Sequence, residues 1–486
     1  MTISAEQKTI PLPKTPSPSP KVEICGASLN PLEVWDRVRL ELNPTGSLDN
    51  GLVRRRYFGS NDPGEDAGDI PALQSSVCTD SPLCKNCPLM HHCEFAMNKP
   101  PEESIGTTVD LFSGAGGLSL GFEQAGFQSL LAIDLDDWAI ETHRYNRPTS
   151  PGISLCADLS EWLNEGHSIA EVDILMGGPP CQSFSTANRQ RKDSDSRDGL
   201  YRLFIDSIPN FNPKLLLIEN VRGFEKVLPD LCDRIEMLGY STKVLKLNAR
   251  NFGVPQNRAR VFTIGVRNDF AGGLENANEL LDRIKHGIQD RKMRVRSSKL
   301  IDAIGDLPAL HASRERNNTA HESDENGKSI MAWAGRKEDW TLWLTEINGT
   351  DAHSQIVFNH KARYNNDRDI EIFGRLLPGE DSTAESIRDI MPYKDRNHIF
   401  KDKYYKLRPD AICKTITAHM RLDCNMYIHP FQARGLTVRE AARVQGFPDN
   451  YVFLGTLQAM YRQVGNAVPP PLAKIIAEEM HKELVG

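Results

Sequence analysis

The amino-acid sequence predicts an α/β protein in which a doubly wound domain of buried parallel strands is joined to a smaller, irregular domain. Three features carry that expectation. Short β-branched and apolar runs alternate with helix-like stretches between residues 105 and 285, the pattern of strands crossed over by helices. A glycine-rich turn, SGAGG, joins the first run to the first helix. Residues 286–425 are polar with scattered aromatics and no clear period, and order returns only towards the C-terminus.

Along the chain, residues 1–22 contain PLPKTPSPSP, which buries too little apolar surface to fold and is expected to be a disordered leader. Residues 23–104 are expected to form an accessory domain that holds a cysteine cluster, with Pro100 and Pro101 punctuating the chain before the first clear strand. Strands are expected at 107–112, 128–133, 173–176, 215–218 and 261–266, and helices at 118–125 and 136–145. The runs 436–447 and 472–483 are expected to be helical. The doubly wound domain thus takes residues 105–285 plus 430–486, and the irregular domain residues 286–429. No internal repeat interrupts this order.

The 486 residues are 39% hydrophobic, enough for real cores in two to four domains. The net charge of −7 excludes a uniformly basic coat but not a local basic groove. No apolar run approaches the roughly 18 residues of a membrane span. The N-terminus shows no apolar segment after its charges, so the expectation is a cytoplasmic protein with no membrane contact. Ten cysteines in such a chain are not a disulfide framework.

In DLFSGAGGLSLGF, Gly114, Gly116 and Gly117 lie between a strand and a helix. Glycines there let the backbone approach a ligand, and the helix N-terminus offers free N–H groups. Asp134 ends the next strand, 20 residues after Gly114, where a carboxylate can hold the ribose hydroxyls of a nucleotide-like cofactor. Asp158 follows a third expected strand and is read equally as an acceptor for an adenine amino group or as a helix N-cap. Cys181, in GGPPCQSFS just beyond the strand 173–176, is placed as a nucleophile at the carboxyl end of a strand. Glu219 ends the neighbouring strand. Arg258 and Arg260, two apart in PQNRARVF, are expected on one strand face.

With RGLTVREAARVQGFP and YRQVGNAVPP near the C-terminus, these segments stand in the order of one family. The chain resembles the DNA (cytosine-5)-methyltransferases over residues 105–270 and 430–486. The resemblance implies a Rossmann-like, S-adenosylmethionine-dependent methyltransferase domain and, over residues 286–429, a target-recognition domain. It implies that Phe112, Gly114, Gly116, Gly117, Leu118 and Pro180 line the S-adenosylmethionine site. Asp134 then takes the ribose, Asp158 the adenine amino group, and Asn466 and Val468 close the pocket near the methionine end. The family often has a tryptophan after the ribose acid; Leu135 stands here.

The implied activity is methyl transfer to carbon 5 of cytosine in a specific double-stranded DNA sequence, through a covalent cysteine adduct and a flipped base. Cys181 attacks carbon 6, Glu219 holds or protonates ring nitrogen 3, and Asn220 positions the Cys181 loop. Arg260 contacts the base carbonyl, with Arg258 supporting it or binding phosphate. Gln182 and Ser183 fill the vacated space or hold the flipped nucleotide, and residues 185–200 close as a lid that carries Arg189, Arg191 and Lys192 to phosphates. Sequence reading is expected from 393–408, which has seven Lys, Arg or His residues among aromatics, including Lys401, Lys403 and Lys406, and from 413–423. Arg439 and Glu440 are expected to brace the recognition domain. The expected setting is a monomer in a bacterial restriction–modification system, nucleoid-associated in use, with the cognate endonuclease as a functional partner and not a stable subunit. The same chemistry on RNA, or a non-catalytic DNA-binding regulatory relative, are the alternatives.

Cys78, Cys84, Cys87 and Cys93 form C-x5-C-x2-C-x5-C, a grouping suited to a metal or an iron–sulfur cluster. It resembles the iron–sulfur loop of the endonuclease III and adenine-mismatch glycosylase family, whose first gap has six residues where this one has five. The expectation is a structural [4Fe–4S] cluster or, alternatively, structural zinc, with His91 and His92 not needed as ligands.

Overall fold

The computed structural model describes residues 8–9, 104–147, 152–169, 171–180, 199–294, 297–313, 331–333, 342–349, 356–392 and 403–485. Two compact units divide the chain: Met1–Pro16, Pro101–Ser297 and Ala467–Gly486 form one, and Ser17–Pro100 with Ser298–Asn466 the other.

The first unit is built on a seven-stranded sheet. Its strands are β1 (Thr107–Leu111), β2 (Gln128–Asp134), β3 (Ile153–Cys156), β4 (Ile174–Gly177), β5 (Leu215–Val221), β6 (Tyr240–Asn248) and β7 (Ala259–Arg267). They lie in the order β3-β2-β1-β4-β5-β7-β6. The first five run parallel. β7 is antiparallel to both β5 and β6, so the sheet is mixed but mostly parallel, within the expected doubly wound α/β class. Residues 249–258 join β6 to β7 by a short turn containing Ala249–Phe252, too little chain for the helical crossover that a parallel neighbour needs.

Helices cover both faces. They are α1 (Gly117–Gln124), α2 (Asp137–Tyr145), α3 (Leu159–Asn164), α4 (Leu200–Phe211), α5 (Leu228–Met237), α6 (Leu274–Arg294) and the C-terminal helix Pro470–Val485. The period of two sorts the strand residues between them. Ile174, Met176, Leu215 and Leu217 pack with Phe122 of α1, Ile284 of α6 and Ile476 of the C-terminal helix. Leu175, Leu216 and Ile218 pack on the other face with Trp162 of α3, Phe204 of α4 and Leu231 of α5. Each such fully buried side chain contributes about 1.5–3 kcal/mol of transfer free energy. The expected domain edge at 285/286 falls inside α6, because the stripe Ala277, Leu280, Leu281, Ile284 and Ile288 carries the helical period past it.

Among the described residues the second unit has little regular structure. Its α-helices there are α7 (Leu300–Ile304), α8 (Leu342–Glu346), α9 (Asp367–Arg375), α10 (Val438–Gln445) and α11 (Leu457–Asn466). Met331–Trp333 and Ile356–Phe358 pair antiparallel. Buried arginines brace it. Arg434 donates to both Glu440 oxygens at 2.6 and 2.7 Å. Arg443 grips Asp449 at 2.6 and 2.7 Å and also reaches Asp306. Arg439 donates to the carbonyls of Phe358, Pro448 and Tyr451. Buried charges are tolerated only when their donors and acceptors are satisfied in this way. Burial alone would raise the Glu440 carboxyl, but the Arg434 guanidinium holds it well below the ordinary carboxylate range. Glu440 also closes a capping box with Thr437 at the start of α10. Arg439 and Glu440 therefore brace this unit from its interior, as expected.

Lys406 departs from expectation. It is 7% exposed, and its Nζ donates to the Phe373 carbonyl at 2.9 Å. It serves the core and not a DNA backbone, because the chain on both sides is tied down: Gly379 N–H donates to its carbonyl and its own N–H donates to Glu380. Lys401 and residues 393–402 lie outside the described residues. Among the described residues, no helix is long and apolar enough to cross a membrane.

Candidate active site

The glycine loop leaves β1 at Leu111. Phe112, Gly114 and Gly116 take φ of 58°, 54° and 79°, and these left-handed steps fold the loop back to start α1. Gly116 caps that helix without a side-chain bond, and in the first turn the Ser119 N–H turns to the Asp110 carboxylate. A Cβ on Gly114 would meet no heavy atom within 4 Å, so the loop is open there. A Cβ on Gly116 would lie 2.6 Å from His143 Cδ2 and 2.9 Å from Arg147 Nη1; only glycine fits above those two side chains.

Asp134 fastens this loop. Its Oδ2 accepts the Gly114 N–H and its Oδ1 the Asp136 N–H, both at 2.8 Å. Burial pushes its carboxyl up, against the pull of those amides. Leu135 follows it at 70% exposed, an apolar side chain left at the rim. Asp158 is the N-cap of α3: its Oδ1 accepts from the Ser160 hydroxyl at 2.5 Å and from the Ser160 N–H at 2.8 Å. Those bonds, the hydroxyl first, hold its carboxyl below the usual range.

Leu118 and Val468, expected to line the cofactor site, have their side chains in the core of the sheet. Asn466 ends α11 in the second unit with an exposed side chain. Pro180 is exposed.

Strand register assembles the reacting end. Leu111 of β1 lies opposite Gly177 of β4, which lies opposite Ile218 of β5. The glycine loop, the Gly178-Pro179-Pro180 segment and Glu219 therefore leave three adjacent strands at one level, at the carboxyl ends where open α/β sheets bind ligands. Asn220 Nδ2 donates to the Pro179 carbonyl at 3.0 Å. A Cβ on Gly178 would come within 3.3 Å of Glu219 Oε2. Glu219 Oε1 is 2.9 Å from Arg260 Nε, both side chains largely buried. Burial lowers the Arg260 pKa and the Glu219 charge opposes that shift.

Arg258 does not share a strand face with Arg260. β7 begins at Ala259, and Arg258 is 1% exposed, which fits a supporting residue and not a phosphate contact. Cys181, Gln182, Ser183, Arg189, Arg191 and Lys192 lie outside the described residues, as do Cys78, Cys84, Cys87 and Cys93.

Sequence reasoning missed a buried polar group beneath the loop. Ser119 donates to Asp110 Oδ2 at 2.5 Å, His143 Nε2 lies 3.1 Å from Ser119 Oγ, and His143 Nδ1 lies 2.7 Å from Ser154 Oγ. The polar residues inside the otherwise apolar strand and helix, Asp110 and Ser119, were the available signal. Nothing local points from them to His143 in the next helix.

The sequence pattern of the C-5 cytosine-specific DNA methylases matches residues 106–482. The Type II methyltransferase M.AgeI of Thalassovita gelatinovora is 33% identical over 426 residues, covering 76% of this chain and 98% of its own. The Type II methyltransferase M.DdeI of Desulfomicrobium norvegicum is 32% identical over 399 residues, covering 76% of this chain and 88% of its own. A solved prophage-encoded chain from E. coli, assigned as a DNA modification methyltransferase, superposes with a TM-score of 0.58 at 25% identity, over 78% of this chain and 99% of that one. The match begins at residue 106, beyond the four clustered cysteines, so neither it nor the described residues support the iron–sulfur or zinc expectation. With the glycine loop, the proline-flanked loop and the Glu219–Arg260 pair on adjacent strand ends, and a family match across both units, the chain belongs to the C-5 cytosine-specific DNA methylases, enzymes that methylate cytosine in DNA.

Proposed function

We propose that the protein methylates carbon 5 of cytosine within a specific duplex DNA sequence, using S-adenosylmethionine, a covalent Cys181 adduct and a flipped target base. The observation that carries the reading is the shared level of three strand ends. It sets the loop leading into Cys181 beside Glu219 and next to the glycine loop.

The residues present suit the cofactor. Gly114 leaves an open backbone approach, and Asp134 supplies a carboxylate for the ribose. Phe112, Gly116, Gly117 and Pro180 would border it, and the exposed Leu135 offers an apolar face to adenine where the family often has tryptophan. Asp158 would take the adenine amino group while capping α3. When bound, the cofactor supplies an electrophilic sulfonium methyl group.

The protein's part is to make carbon 5 nucleophilic. The Cys181 thiolate adds to carbon 6 and breaks the ring's aromaticity. Glu219 holds nitrogen 3 and draws electron density as the thiolate adds, and Arg260 stabilises charge at the ring carbonyl. After carbon 5 is methylated, loss of its proton and departure of the thiolate restore the aromatic ring. Asn220 keeps the Cys181 loop in place through the Pro179 carbonyl. Arg258 supports the pair from within the fold.

The second unit would read the target sequence, with 413–423 as the first stretch to test. The Type II names of both relatives support a role as the modification partner in a restriction–modification system. The test is Cys181→Ala. It should abolish methyl transfer while leaving S-adenosylhomocysteine binding intact, and DNA carrying 5-fluorocytosine should trap a covalent adduct with the wild-type chain alone. Normal turnover by the variant would sink the mechanism.

A further inference from the structure

We infer that Ser119 and His143 are positioning residues for the glycine loop, linked with Asp110 and Ser154 in one directed hydrogen-bond chain beneath it. The inference rests on the reading of that loop as the S-adenosylmethionine site.

Proton bookkeeping gives the chain its direction. With Asp110 ionised, as it is at alkaline pH, Ser119 Oγ carries one proton and donates it to Asp110 Oδ2 at 2.5 Å. Toward His143 Nε2, 3.1 Å away, Ser119 can therefore only accept, so Nε2 carries the imidazole proton. Nδ1 is then the acceptor for the Ser154 hydroxyl, 2.7 Å away. Every donor points toward the Asp110 carboxylate. The four residues come from β1, α1, α2 and β3, so the chain ties together the elements that flank the loop. His143 is 1% exposed. Burial, with Arg147 and Arg144 nearby, keeps it neutral by lowering its pKa well below the ordinary value. It thus has a single ring proton to place, and both nitrogens already have partners.

The chain matters to the loop because of what rests on it. Gly116 sits directly over the His143 ring and the Arg147 guanidinium. Arg147 donates to the Gly116 carbonyl at 3.3 Å and to the His143 carbonyl at 3.0 Å, and pairs with Glu123 at 2.5 Å. The imidazole is thereby the floor of the loop, and its rotation is fixed by a hydrogen bond at each nitrogen. A buried ring that loses one of those partners must turn or shift to recover it, and the Gly116 backbone packed against that ring would shift with it.

Ser119→Ala removes one oxygen from the chain and no apolar packing. With S-adenosylhomocysteine as the probe in calorimetry, the variant should bind about tenfold more weakly. Its kcat at saturating cofactor should stay within about twofold and its DNA affinity should not change, because the coupling is local. The 15N spectrum of the His143 imidazole, recorded at alkaline pH, should show the Nε2-protonated tautomer in the wild type and lose that pattern in the variant. His143→Gln, which keeps a donor and an acceptor, should retain most of the affinity that His143→Leu loses. An S119A protein that bound S-adenosylhomocysteine like the wild type would overturn the positioning role. So would a variant in which cofactor affinity, DNA affinity and melting temperature all fell together, since that is loss of fold. A wild-type chain that bound no S-adenosylhomocysteine would instead defeat the cofactor reading, and the positioning role with it.

Discussion

Replacing Glu219 by glutamine removes one charge and leaves the side chain's shape. Glu219 Oε1 lies 2.9 Å from Arg260 Nε, with the two side chains 11% and 13% exposed. At an effective dielectric near 20, unit charges at that separation attract by about 6 kcal/mol, and desolvation of the two groups cancels most of it. Glutamine still presents an oxygen to Arg260, so the net loss of stability should be about 1–2 kcal/mol. For a unit of this size, that lowers the melting temperature by roughly 2–8 °C. Alanine is the harsher change, because it strands a buried guanidinium at a cost of about 3–5 kcal/mol. Turnover should fall much further than stability. An amide can contact nitrogen 3 but cannot hand it a proton, a deficit of about 100-fold or more. Transfer of tritiated methyl groups to duplex DNA at saturating cofactor measures the first effect, and circular dichroism melting the second. E219Q turnover within about threefold of the wild type would refute the assignment of Glu219 to nitrogen 3.

Three further outcomes follow from the same geometry. Glu440 has its folded pKa depressed below 4.5 by Arg434, so it contributes stability above about pH 4.5 that is lost as pH falls toward its folded value; Glu440→Gln should lower the neutral-pH urea midpoint and flatten its acid decline. Asp110 behaves oppositely. Burial raises its pKa from 3.8 to about 7, so the folded chain holds a proton the unfolded chain has released, and stability falls as pH rises between those values. Asp110→Asn should remove that fall in urea midpoints measured at several pH values. Lys406→Met should cost about 1–2 kcal/mol of stability through the lost bond to Phe373, yet leave the salt dependence of DNA affinity unchanged, because a buried lysine releases no counterion. A flatter salt slope would return Lys406 to the DNA surface.

Most of the α/β order was legible because it depends on near neighbours. The runs 128–133 and 215–218 fall within observed strands, and the helix expected over 436–447 is there, started by the Thr437–Glu440 capping box and ended by Gly446 at φ 92°. Such signals lie within one or two turns of chain. The glycine loop was legible for the same reason, since positive φ at Gly114 and Gly116 is a demand on single residues. The regular strand Tyr240–Asn248 went unseen, because Lys243 and Lys246, three apart and so on opposite faces, break its apolar alternation.

The family, which lives in the covalent order of residues, in the run of motifs from the glycine loop to the C-terminus, needed no fold to be read. Arrangement was decided in three dimensions. The Glu219–Arg260 pair forms because β7 returns antiparallel beside β5, which puts Val221 opposite Arg260. Lys406 faces inward because the Phe373 carbonyl lies within reach of its amine. His143 lies under Gly116 because α2 packs beside the glycine loop. Each outcome turns on a partner tens of residues away in the chain, and a side chain's burial and hydrogen bonds are set by whichever atoms the fold brings against it.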